Sequence, residues 1–325
     1  MPGHRIDVHH HILPPDYVRA VGDHRIGPLI VAGKTPEWTP QISIAAMDRN
    51  GIERAITSIS APGLWFGDAD QTRTLTRACN EYAAELRTDF PDRFGLFASL
   101  PLPDIEASLR EIAYALDVLK ADGIGLLTNY DGKYPGDAHF RPIFDELHCR
   151  EAVVYFHPAA ADCCCGHLDV PAATLEFPFD TTKAVTSLLF GGTFARCRNI
   201  KFIFSHAGGA VPFLAERIAR LENHSNHRDS VPDGVLFELR RLFFDTALSA
   251  NPLAFSSLLK LVAPDKVLFG SDYPFAPEAT MAATVKGLAD LGLAPDVLYA
   301  IERTNALSLL RASRQITDLQ MRVST

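Results

Sequence analysis

No long uncharged apolar run occurs in this 325-residue chain. Nothing in it therefore reads as the stretch of ~20 apolar residues that a membrane helix needs. The start, Met1-Pro2-Gly3-His4-Arg5, lacks the apolar core of a secretory signal. Both absences lead us to expect a cytoplasmic protein that does not enter membranes. Cationic excess is missing too: 31 Lys and Arg stand against 39 Asp and Glu, for a net charge of −8. Such a chain has no electrostatic reason to hold nucleic acid or an anionic membrane. An anionic small molecule stays open, because a site can be locally positive on an acidic protein. Gly/Ser linkers, low-complexity segments and repeats of solenoid length are also lacking. Residues 1–325 are thus expected to form one domain, with longer loops at about 12–41 and 158–180. Cysteines number six: Cys79, Cys149, Cys163, Cys164, Cys165 and Cys197. They fit neither a secreted disulfide framework nor paired CxxC zinc spacing, and should be reduced. The Cys163–Cys165 run chelates one ion poorly, since adjacent side chains alternate direction. It reads as small packing residues in a loop.

Apolar residues are abundant, at 47% of the chain, which is ample for a core. Short β-branched or aromatic runs alternate with longer stretches of helical periodicity. The strands are expected at Arg5–His9, Arg54–Ser60, Phe94–Ser99, Ile124–Thr128, Ala152–His157, Ile200–His206, Leu242–Thr246 and Lys266–Ser271. The helices are expected at Ile42–Asn50, Gln71–Thr88, Ile105–Lys120, Arg141–Arg150, Thr181–Phe194, Val211–Asn223, Pro252–Val262 and Glu278–Leu291, with a last one near Leu298–Ala312. Eight such units in an α/β chain of this length predict a closed (β/α)8 barrel. The competing doubly wound sheet usually carries a Gly-rich loop after its first strand. Here that strand runs into His9-His10-His11-Ile12-Leu13-Pro14-Pro15. Both long loops would leave the C-terminal ends of strands, where barrel active sites sit.

Ligand-type residues gather at those same ends. In Ile6-Asp7-Val8-His9-His10-His11, alternation aims His9 and His11 together and His10 away. A polar strand end with incidental histidines is the plainer explanation of that pair alone. The fifth strand, however, ends on His157-Pro158, the sixth on Ser205-His206 and the eighth on Ser271-Asp272. Three histidines and a carboxylate make a site for a Zn²⁺-like ion with room for substrate or water. His206 is then left for acid–base work, its ordinary pKa of ~6.5 lying near working pH. Asp272 can be a ligand, a proton shuttle or both. His4, His10, His24, His139, His148, His167, His224 and His227 show no convergence and are left out of the site.

Four segments carry a family resemblance. They are Asp7-Val8-His9-His10-His11-Ile12-Leu13-Pro14, Phe156-His157-Pro158, Phe204-Ser205-His206-Ala207-Gly208-Gly209-Ala210-Val211-Pro212-Phe213 and Leu268-Phe269-Gly270-Ser271-Asp272-Tyr273-Pro274-Phe275. With the weaker Ala46-Met47-Asp48 and Ala98-Ser99-Leu100-Pro101 they run through almost the whole chain. The chain resembles the amidohydrolase superfamily, in the branch of aminocarboxymuconate semialdehyde decarboxylase and related aromatic-acid decarboxylases. The resemblance implies a distorted barrel holding one divalent metal, zinc first and manganese second, on His9, His11, His157 and Asp272. It implies His206 as the catalytic histidine, with Asp272 sharing the proton chemistry. Arg217 falls where the family has an arginine that reaches a neighbouring subunit's site, which implies a homodimer. A solvated helix face in Val211–Asn223 accounts for Arg217 equally well.

Two departures narrow the choice. Where the semialdehyde decarboxylase has a second carboxylate-binding arginine, aligned on Trp38, this chain has Val31. A dicarboxylate would lose a partner there, and a buried unpaired carboxylate is costly. The first ligand is His9, where several hydroxybenzoate decarboxylases use a carboxylate. Ser60-Ala61-Pro62-Gly63, Trp65-Phe66-Gly67-Asp68 and Glu176-Phe177-Pro178-Phe179-Asp180-Thr181-Thr182 look closest to 6-methylsalicylate decarboxylase-like proteins. These stretches nominate Trp65, Phe66, Phe177 and Phe179 to flank a flat ring, although core packing is the plainer reading of any one aromatic. The expected reaction is non-oxidative decarboxylation of an ortho-hydroxy aromatic acid. The alternatives are hydrolysis of a lactone, amide or ester by metal-activated water, and metal binding without turnover.

Overall fold

The computed structural model describes residues 3–160 and 169–310. Eight parallel strands follow one another around a single sheet in chain order. They are β1 Arg5–His11, β2 Ile52–Ser58, β3 Phe94–Ser99, β4 Gly123–Leu127, β5 Val153–His157, β6 Lys201–Phe204, β7 Phe243–Asp245 and β8 Val267–Leu268. The main helices lie between and after them. They are α1 Pro40–Arg49, α2 Ala69–Asp89, α3 Ile105–Ala113, α4 Arg141–Cys149, α5 Ala172–Phe190, α6 Val211–Ala219, α7 Pro252–Leu261 and α8 Glu278–Asp290. The expected (β/α)8 barrel is therefore the observed architecture. No helix among the described residues is long and apolar enough to cross a membrane.

Inside the barrel, Ile6, Val8, Ile56, Phe97, Val153, Tyr155, Ile203 and Leu268 pack with Ala306, Leu309 and Leu310 of the last helical segment. A larger apolar layer packs between barrel and helices. Several helix starts follow from local chemistry. Thr39, Asp68, Asp104 and Asn251 each accept a backbone N–H of the first turn, which satisfies donors that a helix start leaves open.

Several expected boundaries move: β1 runs on to His11, α3 ends at Ala113, and the first long loop holds a helix at Pro15–Val21. The segment 158–180 was expected to be loop throughout, but α5 begins at Ala172 and runs through Pro178. A proline normally ends such a run. Here the Thr182 hydroxyl donates to the Pro178 carbonyl and accepts the Ala210 N–H, so the helix is held against the turn after β6. The last strand is also shorter than expected, because Phe269–Tyr273 bonds to β1 in an irregular way. Val8 N–H donates to the Phe269 carbonyl (3.0 Å), Asp272 N–H to the His9 carbonyl (2.8 Å) and His11 N–H to the Tyr273 carbonyl (2.7 Å). These bonds bring the two ends of the sheet together.

Asp7 clamps that junction. One carboxylate oxygen accepts the N–H groups of His9 (3.0 Å) and Ser271 (3.1 Å). The other lies 2.6 Å from the Ser271 hydroxyl and 3.0 Å from His10 Nδ1. All of these groups are buried. Asp7→Ala leaves several donors without acceptors, at about 1–3 kcal/mol each. Its thermal midpoint should fall by on the order of 5 °C or more, measured by calorimetry.

Candidate metal centre and active site

The pleat of β1 alone does not explain the site. Ile6 and Val8 face the barrel interior, yet so do His9 and His11. The register with β2 shifts between Asp7 and His10, a β-bulge that re-aims the strand end. His10 turns outward as expected, with its Nε2 2.8 Å from the Ser43 hydroxyl of α1.

At the mouth, one ligand atom each from His9, His11, His157 and Asp272 lies within 4.8 Å of the others. Asp272 Oδ1 is 3.0 Å from His9 Nε2, 3.1 Å from His11 Nε2 and 3.7 Å from His157 Nε2. Each ring is anchored by its other nitrogen. His9 Nδ1 donates to Asp245 (2.8 Å), His11 Nδ1 to the Ser58 carbonyl (3.3 Å) and His157 Nδ1 to the Pro158 carbonyl (2.9 Å). Three Nε2 lone pairs and a carboxylate oxygen thus point at one spot. The Nε2 atoms of His9 and His11 stand only 3.1 Å apart. A proton carried by His9 can bridge that gap, and a metal ion that displaces the proton can draw on both nitrogens. The donor set, with its anchored tautomers, fits a divalent metal.

Electrostatics agree with that fit. Burial opposes a charge on His9, but Asp245 and Asp272 outweigh it and lift its pKa to about 10. Burial lowers His11 to about 4. It holds His157 well below the usual imidazole range. For Asp272 burial works the other way, yet the charge on His9 and the close approach of His11, His157 and His206 keep the carboxyl well below its usual range. Two neutral imidazoles, a carboxylate and one exchangeable proton are the state that accepts a metal ion.

His206 sits beside this cluster. Its Nε2 lies 3.4 Å from Asp272 Oδ2, its backbone N–H donates to Asp245, and its buried Nδ1 has no partner among the described residues. His206 and Asp272 adopt φ values of 53° and 63°, a region that side chains seldom enter and that clusters at functional sites. The turn continues through Gly208 and Gly209. A Cβ on Gly209 would meet the Pro178 carbonyl at 2.0 Å, so only glycine permits this approach to α5.

The cluster forms the floor of a cavity of about 620 Å³. Its walls include Ile30, Val31, Phe177, Leu248 and Phe275, with Ser60 and Ser249 among the polar groups. No Lys or Arg belongs to the described lining. Val31, where the semialdehyde decarboxylase has its arginine, is part of the wall. Of the nominated aromatics, Phe177 lines the cavity and meets the His157 ring edge-on, with centroids 6.0 Å apart. Phe179 does not line it and is exposed, because two helical residues differ by about 200° around the axis. Trp65 borders a separate small crevice with Leu127 and Tyr130. Phe66 carries the Arg25 guanidinium over its face at 4.5 Å. Arg217 is exposed on α6 in a shallow groove with Phe213 and Arg220, outside its own chain's cavity. Cys163–Cys165 lie outside the described residues, whereas Cys79 and Cys197 are buried free thiols.

Asp245 was missed in the sequence. It ends β7, as His157 ends β5, so the same strand-end argument reaches it. Its Oδ1 also accepts Ala247 N–H, so one carboxylate orders a ligand, the His206 turn and the exit of β7.

The chain belongs to the amidohydrolase family, whose profile matches residues 6–312. It is 37% identical over 333 residues to the decarboxylase yanB of Aspergillus niger, covering 98% of this chain and 90% of that one. It is 35% identical over 320 residues to a 6-methylsalicylic acid decarboxylase of Penicillium expansum, covering 97% and 98%. The crystal structure of an amidohydrolase II superposes with a TM-score of 0.87 at 32% identity, covering 94% of this chain and 99% of that one.

The raised pKa of His9 sets a pH dependence for the chelator-treated protein. Its ion pair with Asp245 and Asp272 contributes stability in full below about pH 6.5, the usual value. That contribution is lost as pH rises through about 10. Melting temperatures across this window should fall in the chelated wild type and fall less in Asp245→Asn.

Proposed function

We propose that this protein is a metal-dependent, non-oxidative decarboxylase of an ortho-hydroxy aromatic monocarboxylic acid, with 6-methylsalicylate as the first substrate to test. One observation carries the reading: an apolar cavity whose described lining has no Lys or Arg is floored by a metal-fitting His3Asp cluster. A single carboxylate entering that cavity meets no cationic side chain in the described wall. A second carboxylate at the Val31 side would find no cationic partner in the described wall. The similarity to decarboxylases over nearly the full chain supports the same conclusion.

When bound on His9, His11, His157 and Asp272, the metal supplies Lewis-acid charge and a template for the acid's carboxylate and neighbouring hydroxyl oxygens. Zinc suits the histidine-rich set, with manganese the second choice. The chain's own residues do the rest. Asp245, Ser58 and the Pro158 carbonyl hold the three rings in orientation. Phe177 and Phe275 flank the space in which a flat ring fits. The His206–Asp272 pair holds the proton that is delivered to the ring carbon bearing the carboxylate. That carbon forms a C–H bond as its bond to the carboxylate carbon breaks. CO2 leaves with no net oxidation, so no redox cofactor is called for.

We infer further that the protein is a homodimer. Arg217 is exposed and outside its own cavity, and the family resemblance assigns this position to a neighbouring subunit's site. The free thiols of Cys79 and Cys197 suit a cytoplasmic location.

Purified protein should hold about one divalent metal per chain and convert 6-methylsalicylate to CO2 and 3-methylphenol. Metal without product would redirect the reading to another aromatic acid or to hydrolysis. His206→Ala should keep its metal and lose about 10²–10⁴-fold in kcat. Near-normal turnover of that variant would remove His206 as the acid. Arg217→Ala should raise KM without changing metal content, with sedimentation reporting whether a dimer forms.

A further inference from the structure

Asp180 is a buried carboxylate on α5 with no part in the chemistry above. A buried charge persists only where charge-assisted donors satisfy it. Asp180 has three. Oδ1 accepts the Tyr134 hydroxyl at 2.6 Å. Oδ2 accepts Asn129 Nδ2 at 2.8 Å and the Thr128 hydroxyl. The direction of the last bond follows from its neighbours. Thr128 Oγ1 accepts the Ala159 N–H at 2.8 Å, so the hydroxyl proton remains to be donated. The other acceptor near it, the Ala159 carbonyl, is farther off at 3.3 Å and already takes Asn129 Nδ2 at 2.7 Å.

The Ala159 N–H belongs to the same peptide group as the Pro158 carbonyl, and that carbonyl accepts His157 Nδ1–H. An unbroken series therefore runs from the Asp180 carboxylate through the Thr128 hydroxyl and the 158–159 peptide to the His157 ring. The Nε2 of that ring faces the metal cluster. Thr128 also holds the strand end directly, donating its own N–H to the His157 carbonyl at 3.1 Å.

We propose that Asp180 is a positioning residue for the metal centre. Acting through Thr128 and the Pro158–Ala159 peptide, it fixes the tautomer and plane of His157. Successive hydrogen bonds polarise one another in the same sense, so the carboxylate also makes His157 Nε2 a better donor. Asparagine keeps an acceptor for Thr128 and can turn its amide N–H to the Tyr134 oxygen, but it removes the charge that polarises the series. This inference rests on the reading of His157 as a ligand.

The test compares Asp180→Asn, Thr128→Val, Thr128→Ser and Tyr134→Phe with the wild type. Two quantities are measured: the Kd for Zn²⁺ and for Mn²⁺ of chelator-stripped protein, by competition with a chromophoric chelator, and the melting temperature of the stripped protein. Asp180→Asn and Thr128→Val should weaken metal binding about 10–100-fold, as loss of a group that orients a ligand does. Thr128→Ser restores the hydroxyl and should stay within about threefold of wild type. Tyr134→Phe removes a donor from the other oxygen and spares the series. It should lower the melting temperature while leaving the metal Kd within about threefold. If Thr128→Val does not fold, Asp180→Asn against Tyr134→Phe carries the comparison. Lower melting temperatures with unchanged metal affinity in Asp180→Asn would reduce Asp180 to a tie between β4 and α5 and overturn the proposal. A wild type that takes up neither metal would overturn the reading of the metal centre, and this inference with it.

Discussion

His9 and Asp272 are far apart in the chain, yet the Asp272 N–H donates to the His9 carbonyl. That bond, with those of Val8 and His11, is where the first strand meets the segment after the last. Two of the four donors, His9 and His11, come from one side of this junction and Asp272 from the other, while His157 ends β5. A barrel that failed to close would not only lose stability; it would separate the donors. The Asp7 clamp therefore serves geometry as much as folding, because it ties the N–H of one ligand residue to the neighbour of another.

Charge at the mouth is balanced by burial rather than by solvent. Two carboxylates face three imidazoles with almost no water to screen them, so each proton is worth more than it would be at the surface. The result is a division of labour among chemically equal rings. His9, between Asp245 and Asp272, retains a proton, while His11 and His157 are driven neutral. The same low-dielectric setting makes an unpartnered group expensive, which gives the buried, unpartnered Nδ1 of His206 its significance. Beside anchored neighbours, this ring keeps a nitrogen without a partner among the described residues.

Much of this was legible in the sequence because barrels put their chemistry at one end of each strand. A histidine or aspartate closing a β-branched or aromatic run is a local signal, and His9, His11, His157, His206 and Asp272 all carry it. Asp245 carries it too, behind Phe243-Phe244, but with the strand expected to run on to Thr246 it falls inside the run and not at its end. The cavity walls were harder to read. Ile30, Val31, Leu248 and Phe275 come from loops that share no period with the site, and tertiary folding alone brings them together. The aromatics failed for a more specific reason. Reading Phe177 and Phe179 as loop residues treats them alike, whereas α5 assigns them to different faces. Proline normally ends a helix, and the contact that holds α5 through Pro178 comes from Thr182 and the glycine turn after β6.

That contact also bears on how the cavity can vary over evolution. The Phe177 wall and the His206 turn are docked on each other through Pro178, Gly209 and Thr182, so a change in one is transmitted to the other. The opposite wall, Leu29–Ala32, follows a short helical turn in the first long loop, and Val31 there is largely exposed. Substitutions on that side alter the shape of the cavity without disturbing the acid–base turn. New substrate preferences in such a protein should therefore accumulate on the first loop, while the fifth and sixth strand exits stay constant.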